Sequence, residues 1–245
     1  MPRLTDKDAI RAILRRDPAW CVYALGDLSP EMFPKTEWFT PDLSLVLKDY
    51  GTSILFAMGT GSVQEALDAV SWPAHLQVRS DALAAVTQHA QVEDTREMWR
   101  LIWTGERAFR KDDRAVRLGE GDVTALQLLY ADGENAGESP DFFYPAMVSR
   151  GVFCGVYEER QLVAAAGTHL VSRDEGAAAI GNVYTRRDRR GCGLGRTVTT
   201  AVMRHLADLE TVGLNVRADN GAALSLYESL GFKRHCLFYE ALAVR

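Results

Sequence analysis

The chain has no apolar run long enough to span a bilayer, which takes about 20 helical residues, so no membrane-spanning role is expected. It also lacks a basic excess. The formal net charge of −5 argues against general nucleic-acid binding, which needs a basic face. Cysteines are few, at 21, 154, 192 and 236, and no two are close in sequence. That scarcity favours reduced thiols in a cytoplasmic protein over disulfides or a metal site. The opening stretch MPRLTDKDAIRAILRRD is charged throughout and lacks the apolar core of a signal peptide. Two phosphate-binding signatures are missing as well. No Lys-Ser or Lys-Thr follows a glycine-rich turn as a P-loop requires, and the G-x-G-x-x-G spacing fails because position 196 is arginine. What remains is ordinary for a folded α/β protein: 245 residues, 47% hydrophobic and 25% charged, enough for one large or two modest domains.

Against this background one stretch stands apart. Residues 185–195 read Thr-Arg-Arg-Asp-Arg-Arg-Gly-Cys-Gly-Leu-Gly, and a helical pattern starts directly after them. Glycines at 191, 193 and 195 allow a tight turn whose N–H groups converge. The start of a helix adds unpaired donors and a favourable dipole for an anion. Four arginines occupy 186–190 of this acidic chain. The arrangement suits a phosphate-bearing ligand; the alternative is an Arg/Gly-rich surface turn. Cys192 reads as a small residue that fits the loop. On the following helix, predicted over 194–209, Leu194, Val198, Ala201, Val202, His205 and Leu209 share a face and are expected to be core.

Downstream, Val212, Leu214 and Val216 alternate as in a half-buried strand. Asp219 and Asn220 mark a turn and helix N-cap, Ala223, Leu226, Tyr227 and Leu230 recur at helical spacing, and Gly231 stops the helix. R-x-x-G-x-G (Arg190, Gly193, Gly195) followed by N-x-x-A-x-x-L-Y-x-x-x-G-F (220–232) resembles the GNAT superfamily of acyl-CoA-dependent N-acyltransferases. Ala-Ala-Gly-Thr-His at 165–169, Gly-Asn-Val-Tyr-Thr at 181–185 and Leu-Asn-Val-Arg-Ala-Asp-Asn at 214–220 resemble its glycine N-acyltransferase-like branch. The resemblance covers residues 115–240.

It implies an α/β (α+β) GNAT fold, with a mixed, mostly antiparallel central sheet flanked by helices. It also implies acetyl-CoA as co-substrate, no metal, and direct transfer of an acetyl group to a primary amine of a small molecule. The backbone N–H groups of Gly191, Cys192, Gly193, Leu194, Gly195 and Arg196 would hold the pyrophosphate. A Cβ at Gly193 or Gly195 is expected to obstruct its approach. Arg190 would organise the loop or pair with phosphate. Arg186, Arg187 and Arg189 either reach the 3′-phosphate or form a solvated charge cluster. The strand ending in Val183, Tyr184 and Thr185 would pair with the pantetheine arm, with the Val183 N–H holding the oxyanion. Asn220 would cap its helix and touch the same arm. Tyr227 would bind there too and protonate the departing thiolate. His169 is the candidate general base, with Tyr184 as an alternative and Glu175 placed in a distant hairpin turn. Asp141, Phe142, Phe143 and Tyr144 would line the acceptor side. Two other readings stay open: a non-catalytic CoA-binding sensor or scaffold, and a protein-modifying acetyltransferase. The oligomeric state is expected to be monomer or homodimer.

The first hundred residues carry no such motif, yet their predicted elements follow the same order as those of the second half. Helices at 4–16 and 20–28 precede strands at 36–40, 43–49 and 53–58. Then come a helix over 62–70, a strand over 75–79, a helix over 81–90 and a strand over 96–103. After a charged linker at 110–114, the second half starts with a strand at 115–118 and helices over 121–132 and 140–150. Strands at 152–157, 161–172 and 177–185 follow. The expectation is a tandem: a degenerate GNAT-like unit over 1–112 and a catalytic unit over 113–245. An unrelated first α/β domain is the alternative. The counterpart of the glycine loop would be Gly59-Thr60-Gly61-Ser62. It has no preceding arginine cluster and is not expected to bind CoA.

Overall fold

A computed structural model describes residues 3–49, 51–105, 109–140 and 142–245. Packing divides the chain into two units, each discontinuous in sequence. The first comprises the residues up to 101 with 216–221 and 234–245; the second comprises 102–215 with 222–233.

The first unit opens with α1 (Lys7–Leu14). The Asp6 carboxylate caps it, accepting from the N–H groups of Asp8 and Ala9 at 2.9 and 3.1 Å. After α2 (Val22–Gly26), strands β1 (Thr36–Phe39), β2 (Ser44–Asp49) and β3 (Thr52–Ala57) form an antiparallel meander. Helix α3 (Val63–Ala69) crosses to β4 (Ala74–Val78), which is parallel to β3. Helix α4 (Ser80–Val86) and β5 (Gln91–Trp103) follow. The last strand of the chain, β11 (Phe232–Val244), inserts between β4 and β5. It runs antiparallel to β4, with Ala241 opposite Leu76. Val46, Leu55, Leu67, Leu76, Val86 and Ala241 meet in one buried cluster, so the unit's core depends on the chain's final segment.

The second unit holds β6 (Ala115–Arg117), α5 (Val123–Glu134), α6 (Ala146–Arg150), β7 (Cys154–Glu158), β8 (Gln161–Ser172) and β9 (Ala177–Thr185). Helix α7 (Leu194–Leu206), β10 (Thr211–Arg217) up to Asn215 and α8 (Gly221–Ser229) from Ala222 complete it. Strands β6 to β9 pair antiparallel in sequence order, and β10 adds parallel to β9. Both units therefore contain an antiparallel three-strand meander, a helix, a strand parallel to the third, and another helix.

Three sequence expectations shift. The helix expected over 140–150 exists only as Ala146–Arg150, because Pro140 and Pro145 lack the N–H a helix interior needs and push the preceding residue towards extended backbone. The helix expected over 81–90 ends at Val86, and β5 starts at Gln91 rather than 96. Its first residues, Gln-Val-Glu-Asp-Thr-Arg-Glu, are largely exposed, so no burial alternation announces them. Helix α7 stops at Leu206 instead of 209.

Candidate active site

The end of β9 is where the second unit departs from a regular ladder. Ala165 pairs with Tyr184 and Gly167 with Gly181, so β9 spends one more residue than β8 over that interval. The extra residue is a β-bulge at Asn182–Val183, with Asn182 left-handed at φ 53°. Neither residue has a ladder partner on β8. The Asn182 carbonyl instead accepts from the Tyr130 hydroxyl of α5 at 3.0 Å. Tyr130 is buried, which pushes its pKa well up and keeps it a donor. The Asn182 amide donates to Met147 Sδ at 3.7 Å.

A second bulge lies on β8. Thr168 faces Ile180 and Leu170 faces Ala179, leaving His169 as the extra residue. Its imidazole covers Gly181, where an added Cβ would come within 2.1 Å of Nε2. That close approach explains the glycine. Although part of His169 reaches the surface, burial of the ring pushes its pKa down to about 4.

Tyr184 donates to Asp132 Oδ2 at 2.9 Å, and the same oxygen accepts from the Arg187 N–H at 2.9 Å. Burial, reinforced by the Asp132 carboxylate, pushes the Tyr184 hydroxyl up to about 12. The hydroxyl thus stands as a donor to Asp132. Asp132 was not singled out in sequence. It lies 52 residues before Tyr184, and only the packing of α5 on β9 brings them together. Arg190 stacks over the Tyr184 ring at 5.5 Å, donates to the Thr185 carbonyl at 3.2 Å and pairs with Glu138 at 2.6 Å. Arg186 pairs with Asp188 and Gln161, and Arg189 with Glu158 and Asp188, as a partnered surface cluster.

Between this strand end and α7 the backbone turns through Gly191 at φ 79° and Gly193 at φ 77°. Both are exposed, and a Cβ on either would meet nothing within 4 Å. Within the protein their requirement is the left-handed backbone. At Gly195 a Cβ would make ordinary contacts of 3.5 Å with Leu226 and Thr185, so only an incoming molecule would be obstructed there. Gly193 is the N-cap of α7, and the first intrahelical bond runs from the Thr197 N–H to its carbonyl at 3.1 Å. The N–H groups of Leu194, Gly195 and Arg196 precede that bond and have no helical acceptor. Cys192 is exposed, its Sγ 3.7 Å from the Arg190 carbonyl.

Helix α7 is seated by Leu194, Thr197, Val198, Thr199, Val202, Met203 and Leu206. The expected core face was misplaced in part. His205 is exposed and Ala201 only half-buried, because the helix buries a broad stripe displaced towards Thr199 and Met203. Thr197 also donates to Asp112 at 2.9 Å, fixing the first turn.

Helix α8 reaches the loop through Leu226, beside Gly195, and through Ser229, which accepts from Arg196. Tyr227 is buried on α8, its ring edge-on to Phe232 at 6.0 Å. Burial raises its pKa strongly, so the hydroxyl stays protonated. That hydroxyl has no hydrogen-bond partner among the described residues, unlike that of Tyr130. Asn220 is exposed just before α8, with its N–H on the Arg217 carbonyl at 3.0 Å, and falls in the first unit. Phe143 packs edge-on against Tyr130 at 5.0 Å and Phe153 at 6.0 Å. Phe142 and Tyr144 are half-buried beside it, and Asp141 lies outside the described residues. Glu175 sits in the β8–β9 turn and is buried. Among the described residues no group of three or more His, Cys, Asp or Glu side chains could hold a metal ion, and no helix is long and apolar enough to cross a membrane.

In the first unit the corresponding loop is closed from within. The Gly61 N–H donates to Asp42 Oδ2 at 2.9 Å, and a Cβ at Gly59 would meet the Asp42 side chain at 3.0 Å. A carboxylate occupies the place an anionic ligand would take.

A strand thus leaves its ladder beside a glycine-rich helix start, and the next helix carries a buried tyrosine. Residues 123–232 match the model of the Acetyltransferase (GNAT) family. The fold is the α/β GNAT fold, with mixed, mostly antiparallel strands flanked by helices. A crystal structure of a putative GNAT-family acetyltransferase from Novosphingobium aromaticivorans superposes with a TM-score of 0.67 over 93% of this chain and 96% of that one. At 21% identity, that likeness concerns the fold. Among curated proteins, the mycothiol acetyltransferase of Paenarthrobacter aurescens is 38% identical over 120 residues, which is 47% of this chain and 34% of that protein. The mycothiol acetyltransferase of Kocuria rhizophila is 51% identical over 61 residues, 23% of this chain and 20% of that protein. The matched stretches thus span a fifth to a third of the length of these curated relatives.

Proposed function

We propose that the chain is an N-acetyltransferase that moves the acetyl group of acetyl-CoA to the primary amine of a small molecule in a ternary complex. The first unit is taken as a degenerate GNAT-like copy. The observation that carries the reading is buried Tyr227, its hydroxyl kept protonated, on the helix that touches the glycine loop. A module that only binds needs no such acid. The 191–196 backbone would hold the pyrophosphate, with Arg190 bracing the loop from behind. The unladdered Val183 N–H would receive the oxyanion, while Tyr184 and Thr185 continue the strand along pantetheine. The small-molecule acceptor is supported by the wording of 181–185 and 214–220 and by the relatives named for mycothiol.

In the reaction the amine lone pair attacks the thioester carbon. The C–N bond forms, the carbonyl electrons move onto oxygen facing Val183, and their return breaks the C–S bond. Tyr227 gives its proton to the thiolate, and the amine's proton leaves to a base. His169 is the nearby acceptor we assign, unprotonated throughout the working range because of its low pKa. The reaction is tested by an amine-acceptor screen that follows thiol release, with Tyr227→Phe as control.

Two measurements bear on these assignments. Titration calorimetry with acetyl-CoA is expected to give one site per chain, because Asp42 closes the first unit's loop; two sites would mean that loop is open. His169 also shapes acid stability. Its pKa is lowered on folding, so between about pH 4 and the ordinary 6.5 the unfolded chain binds a proton that the folded chain does not, and stability falls as pH drops through that window. The loss should be about 1–3 kcal/mol after allowance for partial exposure. Thermal melts of His169→Gln should show a flatter decline between pH 6.5 and 4; an unchanged slope would place the titration elsewhere.

A further inference from the structure

The second unit carries a cationic cavity that the transfer reaction does not use. It measures about 320 Å³ and is lined by Lys111, Asp112, Arg117, Cys154, Arg204 and His205, with Ala115 and Ala201 between them. Its walls are β6, the start of β7 and the last turns of α7. The volume lies at the lower end of the range for small-ligand sites.

The charge balance favours an anion. Asp112 is the sole carboxylate on the wall, and it is already engaged. Arg114 grips it with Nε at 3.0 Å and Nη2 at 2.7 Å, and Thr197 donates to it at 2.9 Å. Lys111 pairs with Asp113, and both are largely exposed, so the pair is weak and easily exchanged. Arg117 uses one nitrogen on the Gly151 carbonyl at 2.6 Å. Arg204 has no ion-pair partner among the described residues. The C-terminal end of α7 contributes about half a negative charge, too little to offset three permanent cations. His205 reports the resulting potential. Its pKa is lowered by burial and then by Arg117, Arg204 and Arg173. On a chain with net charge −5, this is a local concentration of positive charge with space enclosed by it.

We propose that this cavity binds a compact multivalent oxyanion, phosphate or a small polycarboxylate, at a site separate from the glycine loop. Gly193 and Arg204 lie about 16 Å apart along α7 at 1.5 Å per residue. The Thr197–Asp112–Arg114 contacts tie the cavity wall to the first turn of the helix that starts at the loop.

The test is calorimetric titration of the intact chain with inorganic phosphate and with citrate, using acetate at matched ionic strength as the monovalent control. Wild type and Gly193→Asp are expected to bind phosphate or citrate saturably at one site, with Kd below about 1 mM. Whichever binds more tightly identifies the class of ligand. Arg204→Glu should weaken binding at least tenfold, as should Ala201→Met, which fills the space without changing charge. The proposal is overturned by absence of saturable binding, by unchanged affinity in both variants, or by loss of binding in Gly193→Asp, which would move the anion to the loop. None of these outcomes depends on transferase activity.

Discussion

Gly193→Asp is expected to weaken acetyl-CoA binding by at least a hundredfold while the chain stays folded. Position 193 is left-handed at φ 77° and faces open space, and aspartate tolerates that backbone better than most residues. Its carboxylate would stand where the converging N–H groups await a pyrophosphate. Two like charges 4 Å apart repel by about 4 kcal/mol at an effective dielectric constant of 20, and a hundredfold loss needs only about 2.7 kcal/mol. Cys192→Ser is the control, because that exposed side chain contributes no charge to the loop; its affinity should match wild type. Calorimetry decides between the outcomes. Equal binding by Gly193→Asp would remove the loop from the cofactor site.

Tyr227→Phe is expected to lower kcat by about a hundredfold, the low end for loss of a general acid, and to leave KM for acetyl-CoA within a factor of two or three. Its melting temperature should change little, since the ring keeps its packing. Tyr130→Phe provides the contrast. Removing the donor to the Asn182 carbonyl should cost about 1–2 kcal/mol of stability, because a buried acceptor at the bulge is left unsatisfied. A Tyr227→Phe enzyme with full kcat would return Tyr227 to a packing role and place the thiolate's proton source elsewhere.

The loop and α8 were legible in sequence because their physics is local. Positive φ at Gly191 and Gly193, a helix start directly after them, and an apolar stripe ending at Gly231 are all set within a few residues. The arginine cluster was legible as composition but not as role. Whether Arg190 reached a ligand or braced the loop depended on Glu138 and Tyr184, which come from other elements. Helix limits went astray where prolines interrupted a pattern, at 140–150, or where exposed residues hid a strand, at 91–95.

By itself, the sequence determined the order of elements, the anion-suited turn at 191–196 and the buried tyrosine helix that follows it. Tertiary structure alone decided the rest. It decided that β11 completes the first unit, that Asp42 fills that unit's loop, and that Asp132 holds both Tyr184 and the Arg187 N–H. It also decided that a bulge frees Asn182 and Val183 from the ladder, and that Lys111, Arg117 and Arg204 enclose one cavity. The physical reason is separation along the chain. Turn geometry and helical periodicity are written in neighbouring residues, whereas strand register and the meeting of charges 50 to 90 positions apart follow from how whole elements pack, and no short pattern encodes that.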